Sequence, residues 1–238
     1  TSDIEGPALL FENIRGYRGW RVLGGLFATR KLVALGLGVP QEQMLERYLT
    51  LEDERIPPEV ISNAPCKEIR WTGDQVDLSK LPIVTHAGKD CGAYVTIGVQ
   101  IGKNPDSGIR NLSIHRMLVL GKDRLSLWAP ADHHLGRMIL MAEEKNKGLE
   151  VATAVGVDPA IVVGSQARVP FGIDEFHIAG ALRGALLEDP VPEGRVRADG
   201  LHRKGEEALD DAGRQAGVRV EHERDRAGDD RGRGRRAA

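Results

Sequence analysis

Asn111-Leu112-Ser113-Ile114-His115-Arg116 sets an amide, a hydroxyl and an imidazole on alternate residues of an apparent strand, with a guanidinium directly after. Period-two alternation sends Asn111, Ser113 and His115 to one face, and Leu112, Ile114 and Arg116 to the other. Apolar Met117, Leu118, Val119 and Leu120 continue the run. Polar groups in such a setting cost free energy unless something hydrogen-bonds them. Two readings are open. One is a ligand with phosphate and carbonyl oxygens, with or without a metal ion; the other is an edge strand whose polar residues face water.

Further candidates lie on other elements. His133 and His134 sit where a loop enters a helix, and Glu175 sits in the first turn of another. An amide oxygen, an imidazole nitrogen and a carboxylate together suit a moderately hard ion such as Mn²⁺ or Mg²⁺ better than a thiolate-type zinc site. Each also has a plain reading. A histidine pair at a helix start is often solvated, a first-turn glutamate is favoured by the helix dipole, and a strand arginine is commonly an ion-pair partner. Spacing alone does not bring Asn111, His134 and Glu175 together. His177, two positions beyond Glu175, points roughly opposite on a helix and reads as structural. Cys91 has no evident neighbour to lower its pKa. Gly36-Leu37-Gly38 lacks the third glycine of a dinucleotide fold, and no phosphate-loop, GxSxG or zinc-helix motif occurs.

The elements that must position these residues read as α+β around a mostly antiparallel sheet. Residues 7–11 and 20–23 look like short strands, Thr29 caps a helix through Leu37, and residues 41–51 read as a second helix. Ile56-Pro57-Pro58 and Asn63-Ala64-Pro65 break the chain, and polar connector follows to about Lys80. Residues 93–101 are β-rich. Residues 113–120 and 124–128 form a hairpin about Gly121-Lys122-Asp123. Residues 132–147 read as a helix, 151–155 as a strand, Asp158-Pro159 as a helix start, and Asp174 as the cap of a helix through Leu187.

The 238 residues carry a formal net charge of −2, so no global electrostatic case exists for nucleic acid or an anionic membrane. Two cysteines point to a reduced, cytoplasmic setting. No apolar run approaches the ~20 residues that span a bilayer. Thr1-Ser2-Asp3-Ile4-Glu5 does not resemble a signal peptide, and the abrupt start suggests a chain that begins inside a longer protein. From Asp189 to Ala238 nearly half the residues are charged, equally of each sign, with no aromatic residue and no isoleucine. Such a stretch buries too little apolar area to offset its ordering entropy and is expected to be disordered. Its eleven arginines against one lysine, where residues 1–188 have thirteen against eight, also suit out-of-frame translation of GC-rich DNA. Balanced charge argues against nucleic-acid binding despite Arg231-Gly232-Arg233-Gly234-Arg235-Arg236.

Four blocks resemble successive blocks of the UbiD-family decarboxylases, in the family's order over about residues 6–187. They are Gly6-Pro7-Ala8-Leu9-Leu10-Phe11-Glu12-Asn13, Asp77-Leu78-Ser79-Lys80-Leu81-Pro82-Ile83, Asn111-Leu112-Ser113-Ile114-His115-Arg116-Met117 and Asp174-Glu175-Phe176-His177-Ile178-Ala179-Gly180-Ala181-Leu182. The resemblance implies a non-oxidative, reversible decarboxylase of aromatic or α,β-unsaturated carboxylic acids. Loss of CO₂ from an sp² carbon leaves a carbanion that no side chain can delocalise, so an electron-sink cofactor is needed. In this family it is prenylated FMN, provided by a flavin prenyltransferase, with its phosphate held through Mn²⁺ (or Mg²⁺) and a monovalent ion such as K⁺ nearby. The resemblance also implies a homo-oligomer for the full-length family member.

By the same resemblance, residues 1–65 are a partial N-terminal α/β region, 66–188 a split β-barrel of flavin-reductase type holding cofactor and metal, and 189–238 the charged tail. Asn111, His134 and Glu175 match the metal-binding positions, with His133 open as the alternative to His134. Ser113, Ile114 and His115 match the segment along the cofactor, and His133 lies beside it. Arg116 matches the flavin-contacting arginine of the catalytic Glu-Arg-Glu network. Family members continue into a segment like VPA-x-(A/S)EIV-(L/I)EG, whose two acids complete that network. This chain runs Leu187-Glu188-Asp189-Pro190-Val191-Pro192-Glu193-Gly194 instead, and neither Glu188 nor Glu193 fits the missing positions. The expectation is a UbiD-like chain truncated at both ends, with cofactor positions kept and the acid pair absent. A non-catalytic flavin- and metal-binding module and an interaction protein are the alternatives.

Overall fold

The computed structural model describes residues 6–51, 53–59 and 65–184, together with the strands Val196–His202 and Gln215–Val220. A small hairpin opens the chain, β1 (Leu9–Phe11) pairing antiparallel with β2 (Val22–Gly24). Helix α1 (Arg30–Leu37) begins at Thr29, whose hydroxyl accepts from the Leu32 N–H, and ends at Gly38 in the left-handed conformation. A 3-10 turn leads into α2 (Met44–Leu49), and three further 3-10 turns make up most of the connector between Pro65 and Lys80.

The sheet follows: β3 (Tyr94–Val95), β4 (Gly98–Lys103), β5 (Arg110–Ile114), β6 (Met117–Val119) and β7 (Arg124–Leu127). Helix α3 (His134–Glu144) leads to β8 (Leu149–Val155), then α4 (Pro159–Gly164) and α5 (Glu175–Arg183). With β9 (Val196–His202) and β10 (Gln215–Val220) the order is β3-β6-β7-β10-β9-β8-β4-β5, every neighbouring pair antiparallel. Among the described strands, β5 is therefore an edge. No helix among the described residues is long and apolar enough to cross a membrane.

Alternation along β4 splits the core in two. Val99 and Ile101 join Leu112, Ala152, Ile161, Phe176 and Ala179, which seats α4 and α5 on one face. Gly102 faces Leu135 and Met138 of α3 on the other, where Met117, Leu127, Ile139, Leu149 and Val151 complete a second cluster. A third cluster of Leu37, Leu51, Ala160, Ile178 and Leu182 packs the N-terminal helices outside α4 and α5. Gly180 matters here: a Cβ on it would stand 2.3 Å from the Ile56 carbonyl oxygen, and the Ile56 N–H donates to the His177 carbonyl. Only a hydrogen lets this segment lie flat on α5.

Four expectations need correction. Residues 93–101 are two strands rather than one, because β3 pairs with β6 whereas β4 pairs with β5 and β8. The run from Asn111 breaks at His115 and Arg116, so Arg116 lies in a turn between β5 and β6 and not on the strand with Asn111. The Gln100 side-chain oxygen takes the His115 N–H at 2.6 Å, a place a strand partner would otherwise fill. The segment expected to be disordered supplies β9 and β10, whose main chains fill the ladder between β7 and β8. Ladder hydrogen bonds need no particular side chains, which is why composition gave no sign of them. The rest of that segment lies outside the described residues, as do residues 185–187; α5 closes at Gly184 (φ 70°) rather than at Leu187.

Candidate cofactor and metal site

The edge strand β5 carries Asn111 opposite Gly102 and Ser113 opposite Gln100, both on the face covered by α3. Helix α5 approaches the same edge from the other face. Its first residue, Glu175, reaches across the edge and accepts the otherwise unpaired Leu112 N–H at 2.8 Å through Oε2. Glu175 Oε1 then accepts from Asn111 Nδ2 at 2.7 Å. His134, the first residue of α3, brings Nδ1 to 3.8 Å from the same Oε1 and 3.5 Å from Asn111 Nδ2. Three side chains from β5, α3 and α5 thus meet at one point. Phe171 stands edge-on to the His134 ring at 5.2 Å between centroids.

Burial sets the charges. Glu175 is 2 % exposed, and desolvation raises its carboxyl to about 7, against the lowering effect of the Leu112 and Asn111 hydrogen bonds. Burial holds His134 below its ordinary value, helped by Arg137 and His133, so it is neutral at physiological pH. His115 is driven down to about 4, first by burial and then by His133, whose ring centroid is 5.9 Å away. Among the described residues, three buried polar atoms on this face have no hydrogen-bond partner: Asn111 Oδ1, Ser113 Oγ and His115 Nε2. Buried polar atoms are nearly always paired in folded chains, so three orphans on alternate residues make this face a candidate ligand surface.

The reading of β5 as an edge strand facing water holds for its position but not for its side chains, since Asn111 is only 5 % exposed. His134, not His133, stands beside Glu175; His133 is the residue preceding α3 and faces His115. Ile114 packs into the core beneath α4 and α5, so any ligand contact it makes on the α3 face would be through its main chain. Arg116 is exposed, its guanidinium 5.9 Å from the Tyr94 ring centroid. Sequence reasoning missed Gln100. It is fully buried on the α3 face, bonded to the His115 N–H and, through Nε2, to Met117 Sδ at 3.6 Å, so it spans the turn that carries Arg116. A glutamine inside a β-rich run was its only signal.

Residues 59–189 match the family described as the 3-octaprenyl-4-hydroxybenzoate carboxy-lyase Rift-related domain, and residues 1–52 its N-terminal domain. The anhydromevalonate phosphate decarboxylase of Methanothermobacter thermautotrophicus is 34 % identical over 167 residues, covering 70 % of this chain and 38 % of the relative. The gallate decarboxylase of Lactiplantibacillus plantarum is 32 % identical over 194 residues, covering 77 % and 39 %. Among solved structures, an evolved dimeric form of the UbiD-class enzyme HmfF from Pelotomaculum thermopropionicum, in complex with prFMN, superposes with a TM-score of 0.77 at 34 % identity. It covers 90 % of this chain and 55 % of that one. The chain spans well under half the length of the curated relatives it matches. Its two matched domains, in family order, make it a member of the UbiD family of decarboxylases.

Proposed function

We propose that this chain is the cofactor- and metal-binding part of a non-oxidative, reversible decarboxylase acting on aromatic or α,β-unsaturated carboxylic acids. The observation that carries this is Glu175 crossing the sheet edge to stand 2.7 Å from Asn111 Nδ2 and 3.8 Å from His134 Nδ1. A half-turn of the Asn111 amide exchanges Nδ2 for the orphaned Oδ1. The side chain can then present a donor to the carboxylate alone, or an oxygen to a shared cation. Amide oxygen, neutral imidazole and carboxylate fit Mn²⁺ or Mg²⁺. A divalent cation here would neutralise the phosphate of prenylated FMN, a cofactor that supplies the electron sink for C–C cleavage.

Placement supports the remaining proposed roles. Ser113 Oγ and His115 Nε2 offer the flavin side unpaired polar atoms, and His133 flanks them. His115 stays neutral, so it hydrogen-bonds without adding charge. Arg116, exposed at the β5–β6 turn, can grip the departing carboxylate through a two-point contact. The acid that returns a proton to the carbon is assigned to none of the described residues. Residues 1–65 and 66–188 would form the N-terminal and split-barrel parts, with K⁺ as the monovalent ion, a flavin prenyltransferase as cofactor source and a homo-oligomer as the assembled form. Two exposed cysteines, neither in a disulfide, suit a reducing, cytoplasmic setting.

The test is FMN binding with and without Mn²⁺, followed by flavin fluorescence across pH. Mn²⁺ must displace the Glu175 proton. Its affinity is therefore expected to rise about tenfold per pH unit below about 7 and level off above it. FMN binding indifferent to a chelator would contradict the metal bridge.

A further inference from the structure

Asn111 and Glu175 sit on different elements, and each is preceded by a charged residue. Arg110 Nε donates to Asp174 Oδ2 at 2.8 Å, and both side chains are largely covered, 17 % and 12 % exposed. The Arg110 guanidinium also lies over the Phe176 ring at 4.7 Å from its centroid. Asp174 does a second job with its other oxygen, since Oδ1 accepts from the Phe176 N–H and caps α5. Strand alternation puts Arg110 on the face opposite Asn111. The free edge of β5 is thus clasped from both sides: Arg110–Asp174 on one face, Asn111–Glu175 on the other, Leu112 N–H to Glu175 Oε2 between them.

We propose that the Arg110–Asp174 pair is a latch that positions Asn111 and Glu175 for cation binding, by fixing the end of α5 against the edge of β5. The inference rests on the metal reading above. An edge strand and a helix end share no ladder bonds, so nothing regular fixes their offset. Coordination tolerates only a few tenths of an ångström in ligand placement, and one half-buried charged pair supplies the registration. Residues that orient metal ligands typically change affinity 10–100-fold when removed.

The sign of one substitution separates positioning from simple charge. Arg110 is a cation close to a cation site, so on electrostatics alone Arg110→Met should tighten Mn²⁺ binding. A latch makes the opposite demand. We would titrate the full chain with Mn²⁺, reading free ion by electron paramagnetic resonance, and record Tm alongside. Arg110→Met and Asp174→Asn are each expected to weaken Mn²⁺ binding 10–100-fold. The double variant should be no worse than either single one, and Arg110→Lys should recover part of the loss. Asp174→Asn keeps the Oδ1 cap and carries the test where Arg110→Met unfolds. Asp158→Asn is the control. Asp158 caps α4 in the same manner and pairs at 3.5 Å with Arg183, at the opposite end of α5 from Glu175, so Mn²⁺ affinity should not move. Arg110→Met binding as tightly as wild type, or tighter, overturns the latch alone. Wild-type chain that takes up no Mn²⁺ overturns the metal reading and the latch with it.

Discussion

Glu175→Gln is expected to cost more than about 100-fold in Mn²⁺ affinity, beyond the range of outer-shell residues, while raising the melting temperature of the metal-free chain above pH 7. The two effects have one cause. The carboxylate is the anionic group at the meeting point of β5, α3 and α5, and it is held in a buried place that resists its charge. A carboxyl raised from 4.5 to about 7 binds its proton more tightly folded than unfolded. Stability therefore falls as pH rises from about 4.5 to about 7 and stays lower above that, by at most ~3 kcal/mol. Glutamine is spared this loss. Its oxygen can accept the Leu112 N–H, and its amide can donate to the orphaned Asn111 Oδ1 after that side chain turns. His115 runs the other way: held down to about 4, it adds stability as pH rises from about 4 to 6.5. Wild-type melts in chelator should thus stay nearly level over pH 4.5–6.5, and those of the variant should climb. With roughly 2–4 °C per kcal/mol for a chain of this size, the gap at pH 8 is measurable by calorimetry. A variant that keeps Mn²⁺ affinity within a few-fold would remove Glu175 from the ligand set.

Arg116→Ala is expected to lower CO₂ release from an aromatic acid by about 100- to 1,000-fold in protein reconstituted with prenylated FMN, with Mn²⁺ and FMN affinities within a few-fold of wild type. The two proposed roles rest on residues in different places. Arg116 is exposed in the segment after β5 and takes no part in the hydrogen bonds that join Asn111, His134 and Glu175, so its loss should leave that cluster intact. A charged hydrogen bond to a carboxylate contributes about 1.5–3 kcal/mol. Benzoate binding to the flavin-loaded protein should therefore weaken at least about tenfold, a readout independent of turnover. Undiminished benzoate binding, or flavin lost in step with activity, would show that Arg116 serves the fold or the cofactor and not the substrate.

Much of this site was legible because it depends on local rules. Alternation along 111–115 named the residues of one face, and caps at Thr29, Asp158 and Asp174 fixed helix starts to within a residue. Adjacent polar residues at helix starts drew attention to His134 and Glu175. What the chain does not declare is long-range register. Nothing in the spacing says that Glu175, 64 positions beyond Asn111, crosses a strand edge to meet it. The break at His115 and Arg116 was hidden for the same reason, since it is imposed by Gln100 from a neighbouring strand. Strands β9 and β10 went unread because ladder pairing is supplied by β7 and β8 and leaves little mark on a charge-rich composition.

The most direct measurement is anomalous X-ray scattering at the manganese edge from crystals of the chain grown with Mn²⁺ and FMN. The expected result is a single strong peak within about 2.0–2.3 Å of an Asn111 oxygen, a His134 ring nitrogen and a Glu175 carboxylate oxygen, with a flavin phosphate oxygen as a further ligand. A peak elsewhere, or flavin density whose phosphate is held without any ion between these three residues, would contradict it.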